Sequence, residues 1–148
     1  MKITIHCDGG SRGNPGPTAI GTTIEIPEKT QVLIKSVPRA YGEYIGNTTN
    51  NVAEYSAVIF ALKKVKQLIG KKNAAEAKLL INTDSELLYK QLGGEYKILE
   101  PELQSFFIEI WNLKQDFGEV EFKLIPREKN KGADKLVNEA LDKYEKGL

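Results

Sequence analysis

Four acidic residues stand where a carboxylate could do chemistry: Asp8, Glu54, Asp84 and Asp134. Asp8 is predicted at the end of the first strand and Asp84 where the fourth strand gives way to a helix. Glu54 falls in the first turn of the first helix, and Asp134 opens the last one. In an α/β sheet, ligands collect beyond the carboxyl ends of the strands, so Asp8 and Asp84 converge there if their strands are neighbours. Glu54 lies beside the core-facing Tyr55 and Val58, and Asp134 between Ala133 and Val137, which keeps both near the buried side of their helices. Four acids at one spot repel strongly unless cations sit among them, and hard oxygen ligands suit Mg²⁺ or Mn²⁺ rather than zinc. Two such ions, about 3.5–4 Å apart, would activate a water and stabilise the leaving oxygen in phosphodiester hydrolysis. Acids at element ends also serve as helix caps or solvated charge, and spacing alone leaves both readings open.

The elements that must position these acids follow from periodicity. Lys2 to Asp8 reads as a strand, and Gly9–Pro17, rich in Gly and Pro, as a turn or loop. Extended segments at about Ala19–Ile26 and Gln31–Tyr44, separated by Pro27-Glu28-Lys29, predict antiparallel hairpins. From Asn51 to Ile69 the apolar residues Tyr55, Val58, Leu62, Val65 and Ile69 recur at helical steps. Lys78–Asn82 is a short strand, followed by a helix capped by Ser85 and ended by Gly93-Gly94. Pro101 suits the first turn of a third helix with a buried stripe of Leu103, Phe106, Phe107, Ile110 and Trp111. Glu119–Ile125 alternates as a strand, Pro126–Lys131 is a loop, and Ala133, Leu136, Val137, Ala140, Leu141 and Tyr144 line one face of a final helix. The order βββαβααβα implies an α/β fold: a five-stranded mixed sheet, antiparallel in its first three strands and parallel afterwards, flanked by helices.

At 148 residues, without internal repeats or Gly/Ser-rich linkers, the chain is expected to form one domain over 1–148. No apolar run approaches the length of a membrane span and the N-terminus reads as an immediate strand, so a cytoplasmic monomer is expected. The lone Cys7 excludes an internal disulfide and a Cys-rich zinc site. Twenty-one Lys plus Arg against twenty Asp plus Glu leaves a formal charge of +1, so any nucleic-acid affinity must come from local clusters. Two such clusters occur, Lys63 to Lys72 at the end of the first helix and Lys123 to Lys135 around the last loop.

The contexts of the four acids narrow the choice. Asp8-Gly9-Gly10-Ser11-Arg12-Gly13-Asn14-Pro15-Gly16-Pro17 closely resembles the first motif of type 1 ribonucleases H. Thr49-Asn50-Asn51-Val52-Ala53-Glu54-Tyr55 is similar to their second, Thr83-Asp84-Ser85 to their third, and Pro126-Arg127-Glu128 through Gly132-Ala133-Asp134 to their fourth, all in the family's order. The resemblance implies endonucleolytic cleavage of the RNA strand of an RNA–DNA hybrid, giving 5′-phosphate and 3′-hydroxyl ends. It implies that Asp8 bridges two Mg²⁺ ions, with Mn²⁺ a possible substitute, that Glu54 and Asp84 hold one, and that Asp134 helps hold the other. Ser11, Asn14, Asn50 and Glu86 are implied near the RNA strand, where the 2′-hydroxyl distinguishes RNA from DNA, and Gly9, Gly13 and Ser85 are implied to contact substrate as well. Thr49 and Asn51 resemble residues that grip a phosphate of the DNA strand. Asn50 and Asn51 could also simply cap the first helix.

The match departs in three places. The loop 126–133 carries no histidine, which many relatives place there. The sole histidine, His6, reads as a sheet residue. Glu86 stands where glutamine is common, so a donor is lost. Gly93-Gly94-Glu95-Tyr96-Lys97 leads directly into the next helix, where some relatives insert a separate basic segment. Rival readings remain an inactive or differently specific nucleic-acid-binding module of the same fold, another nuclease with the same carboxylate geometry, and a non-catalytic interaction protein.

Overall fold

The computed structural model describes residues 1–27 and 39–147. Among them β1 (Lys2–Ser11), β2 (Gly16–Glu25), β3 (Ala40–Thr48), β4 (Lys78–Thr83) and β5 (Glu119–Leu124) form one sheet in the order β3-β2-β1-β4-β5. β2 pairs antiparallel with β1 and β3, whereas β4 pairs parallel with β1 and β5. The helices are α1 (Asn50–Ala74), α2 (Glu86–Leu92), α3 (Pro101–Lys114) and α4 (Lys131–Glu145), with a short 3₁₀ turn at Arg127–Lys129. This is the mixed sheet expected from the element order. Most of the predicted segment Gln31–Tyr44, up to residue 38, lies outside the described residues, as do Glu28 and Lys29 of the turn before it.

The sheet is packed on both faces. Along β1 the odd-numbered Ile3, Ile5 and Cys7 are buried in the larger core with Tyr55, Val58, Leu62 and Val65 of α1. On the opposite face Ala19 packs with Val137, Ala140 and Leu141 of α4. Strand alternation sends Asp8 to that second face, against which α4 lies. No helix among the described residues is long and apolar enough to cross a membrane.

Three of the boundaries that differ from the sequence expectation bear on the site or its supporting helix. β1 does not end at Asp8: Gly9, Gly10 and Ser11 continue it, paired with Ile20, Ala19 and Thr18, so the turn shrinks to 12–15. Pairing with β2 satisfies their backbone groups and overrides the local turn propensity of glycine. α1 begins at Asn50, because Thr49 takes the cap position and its Oγ1 accepts from Val52 N at 3.3 Å. Asn50 and Asn51 are therefore not the cap, and Glu54 sits in the second turn, not the first. α1 also continues past Ile69, kinked where Gly70 has φ 84°.

Two predicted core residues are on the surface. Trp111 is 55% exposed, since α3 buries Leu103 and Ile110 and leaves Trp111 on the edge of that stripe beside Leu92 and Phe122. Tyr144, near the end of α4, is 44% exposed and stacks on Tyr44 of β3 with ring centroids 4.0 Å apart. The α1 stripe is buried as predicted, and Tyr55 Oη donates to Gln91 Oε1 at 2.6 Å, which ties α1 to the helix that follows Asp84.

Candidate active site

The register of the sheet explains why Asp8 and Asp84 meet. The parallel ladder between β1 and β4 ends at His6↔Asn82, and continuing it two steps puts Asp8 abreast of Asp84. β4 stops at Thr83 while β1 runs on beside β2 alone, so space opens at the carboxyl end of β4. Asp8 sits at its edge, 8% exposed. Ser85 caps α2, its Oγ accepting from Leu88 N at 3.2 Å, and turns the chain away immediately after Asp84.

Glu54 arrives from the other face because α1 approaches β1 unusually closely at Gly9. A Cβ on Gly9 would lie 2.4 Å from the Ala53 carbonyl carbon, so only glycine permits the contact. Gly9 N donates to Glu54 Oε1 at 3.0 Å and fixes that carboxylate at the β1 end. Ligand oxygens of Asp8, Glu54 and Asp84 all lie within 4.8 Å of one another. Asp134 stands apart from this tight group: it is exposed in the first turn of α4, on the rim of the same cleft. α4 is itself seated closely, since a Cβ on Gly21 would lie 2.2 Å from Ala133 O.

The cleft, of about 500 Å³, is lined by the four acids with Gly9, Gly10, Ser11, Arg12, Asn50, Asn51, Ser85, Glu86 and Arg127, and by Val137, Asn138 and Leu141 of α4. Of the residues expected near substrate, Gly13, Asn14 and Thr49 do not line it. They hold its wall instead. Asn14 Oδ1 accepts from Asn50 N at 3.0 Å, Asn50 Oδ1 accepts from Ser11 N at 2.9 Å, and Ser11 Oγ donates to Gly13 O. His6 is not among the lining residues and lies within β1 between Thr23 and Asn82. Cys7 is buried toward α1 with its thiol pushed up to about 12 by burial, so it is an inert core group.

Two charged lining residues stand outside the expected site: Arg12, to which spacing and motif assign no role, and Arg127, expected only as part of the basic cluster around the last loop. Arg12 joins the turn after β1 to the far end of α4, with both Asp142 and Glu145 at 2.8 Å. Arg127, just after β5, also lines the cleft. A third residue, Asn130, lies behind the acids: its Nδ2 donates to Asp84 Oδ2 and to Cys7 O, each at 2.9 Å. A polar residue ahead of an apolar helical pattern signals a cap, but nothing local signals a side chain turned inward.

Crowding changes the protonation of the acids. Burial, then the Asp84 charge and more weakly that of Asp134, pushes the Asp8 carboxyl up to about 7. Glu54 is held well above the ordinary carboxylate range by burial and by Asp8 and Asp84. Hydrogen bonding between the two draws Asp8 down and Glu54 up, so the two carboxyls titrate as a pair and not independently. A divalent cation fits this centre on its donor chemistry, because three converging carboxylates supply hard oxygens and negative charge that protons otherwise neutralise.

The raised values have a definite sign in stability. A carboxyl that binds its proton more tightly when folded stabilises the fold below the unfolded value, 3.8 for Asp8, and that contribution is lost as pH rises through about 7. The metal-free protein is therefore expected to melt lower at about pH 8 than at about pH 5.5, and Mg²⁺ to restore more stability at the higher pH. Thermal melts in chelator at the two pH values check this; a melting temperature that climbs with pH would contradict it.

A family model described as reverse transcriptase-like matches residues 6–140. The bifunctional protein Rv2228c of Mycobacterium tuberculosis is 37% identical over 142 residues, which cover 96% of this chain but only 36% of that protein. Among solved structures, LC11-RNase H1 in complex with an RNA/DNA hybrid is 43% identical with a TM-score of 0.83, covering 96% of this chain and 98% of that one. RNase H1 from the halophilic archaeon Halobacterium salinarum is 32% identical with a TM-score of 0.82, covering 96% and 98%.

Proposed function

This chain belongs to the type 1 ribonuclease H family, and on that premise we propose that it hydrolyses the RNA strand of RNA–DNA hybrids endonucleolytically. The observation that carries this reading is the convergence of Asp8, Glu54 and Asp84 within 4.8 Å in an open, polar cleft. Asp8, Glu54 and Asp84 would hold divalent metal, with Asp134 on the rim contributing to a second ion. Bound Mg²⁺ would activate a water and stabilise the departing 3′-oxygen.

The chain's own residues do the positioning. Gly9 N fixes one oxygen of Glu54 and Asn130 Nδ2 one of Asp84, which leaves each carboxylate its other oxygen for a cation. Ser11, Asn50, Asn51, Ser85 and Glu86 line the cleft with short polar groups able to reach a 2′-hydroxyl. The exposed Glu86 offers acceptors only when ionised, so a 2′-hydroxyl would donate to it. Arg127, lining the same cleft, supplies a cation able to pair with a phosphate of the substrate. We read 1–148 as one catalytic unit acting as a monomer.

A labelled hybrid incubated with and without Mg²⁺, beside duplex DNA and duplex RNA, tests the reading. Cleavage is expected only of the hybrid's RNA strand and only with metal, leaving 5′-phosphate and 3′-hydroxyl ends. Products bearing a 2′,3′-cyclic phosphate would mean that the RNA's own hydroxyl attacked, and binding without cleavage would leave only a non-catalytic module.

A further inference from the structure

Asn130 occupies the cap position of α4, yet its side chain makes no capping hydrogen bond. It turns inward instead and is 1% exposed. Both hydrogens of its amide are used, one on Asp84 Oδ2 and one on the carbonyl of Cys7, the residue before Asp8. Its own carbonyl accepts from Asp134 N at 3.1 Å, within the first turn of α4. One residue thus touches the placement of three of the four acids, through strands β1 and β4 and helix α4.

The orientation of the amide follows from its neighbours. Turned over, its oxygen would face a carbonyl and a carboxylate, three acceptors with no proton among them. In the orientation present, Oδ1 is buried with no hydrogen-bond partner among the described residues. A fold that needed only a cap here would turn the side chain outward and leave no such orphan.

We propose that Asn130 is a positioning residue for the acidic centre: its amide holds Asp84 by one oxygen so that the other faces the cation, and it locks that carboxylate to the end of β1 and the start of α4. This rests on the metal-binding reading of the same cleft and goes beyond it by naming what orients the ligand. Outer-shell partners of metal ligands typically set affinity by 10–100-fold.

The test is calorimetric titration of the full chain with Mg²⁺ alone. Asn130→Ala is expected to weaken Mg²⁺ binding by roughly 10-fold or more, with KM for hybrid little changed and lost cleavage recovered at higher Mg²⁺. Asn130→Leu keeps the shape without the donor and should do the same, so the proposal stays testable if the alanine variant does not fold. Leu103→Ala removes buried apolar atoms in α3 and should lower stability while leaving Mg²⁺ affinity at the wild-type value. Wild-type Mg²⁺ affinity in a folded Asn130 variant would overturn the proposal, as would equal weakening by Leu103→Ala. Absence of Mg²⁺ binding by the wild type would remove the metal reading itself, and the proposal with it.

Discussion

Asp8→Asn is expected to abolish hybrid cleavage and, at the same time, to raise the melting temperature of the metal-free protein. The two effects have one cause. Asp8 is buried, faces Asp84 and Glu54, and keeps a proton up to about pH 7 because its charge is unwelcome there. Asparagine has the same shape, no charge and a donor, so it relieves the repulsion without opening a cavity. At about pH 8 the relief is worth on the order of 2 kcal/mol, or roughly 4–8 °C for a chain of this size. Activity moves the other way, because the substitution removes the carboxylate at the centre of the cluster. A loss of ~10³-fold or more follows from losing several kcal/mol of charge stabilisation at the phosphate. Melts in chelator and a hybrid-cleavage assay measure the two halves separately. A variant both inactive and less stable than wild type would mean that Asp8 is structural; one with wild-type turnover would remove it from the reaction.

How much of this was legible beforehand differs by residue. Asp84 could be placed just past a strand end from local pattern, whereas Asp8, expected at the end of β1, lies three residues inside it; the sheet register then brought the two together. Glu54 was visible in its motif but not in its placement. The close seat of α1 on Gly9 involves residues 44 apart in sequence, and no local pattern in either segment encodes the approach. Gly9-Gly10-Ser11 reads locally as a turn and is strand only because β2 lies alongside. Trp111 fits a helical stripe by spacing, but α3 has a single covering layer and its edge positions remain in solvent. Asn130 was hidden most completely. Its partners are 46 and 123 residues away, and its local context, a charged loop leading into a helix, points to a cap that its side chain does not form. Local chemistry thus identified the acids themselves, while what orients them depended on contacts between elements far apart in the chain.

Gly9→Ala should lower both stability and cleavage, the opposite combination to Asp8→Asn. The new methyl would lie 2.4, 2.5 and 2.7 Å from Ala53 C, O and Cβ, and none of these can rotate out of the way. Carbon–carbon contacts settle at about 3.5–4.0 Å, so α1 must withdraw from β1 locally by roughly 1 Å. Overpacking of this kind costs about 1–3 kcal/mol, and the retreat stretches the 3.0 Å hydrogen bond from Gly9 N to Glu54 Oε1. Glu54 then leaves the cluster, and a displacement of that size in a catalytic group costs ~10²-fold in rate. Gly10→Ala is the matched control for stability. Its methyl would meet only Val137 Cγ1 at 3.5 Å, an ordinary contact, so its melting temperature should stay near that of wild type. If Gly9→Ala melts and cleaves like the wild type, the seat of α1 on β1 is not what delivers Glu54.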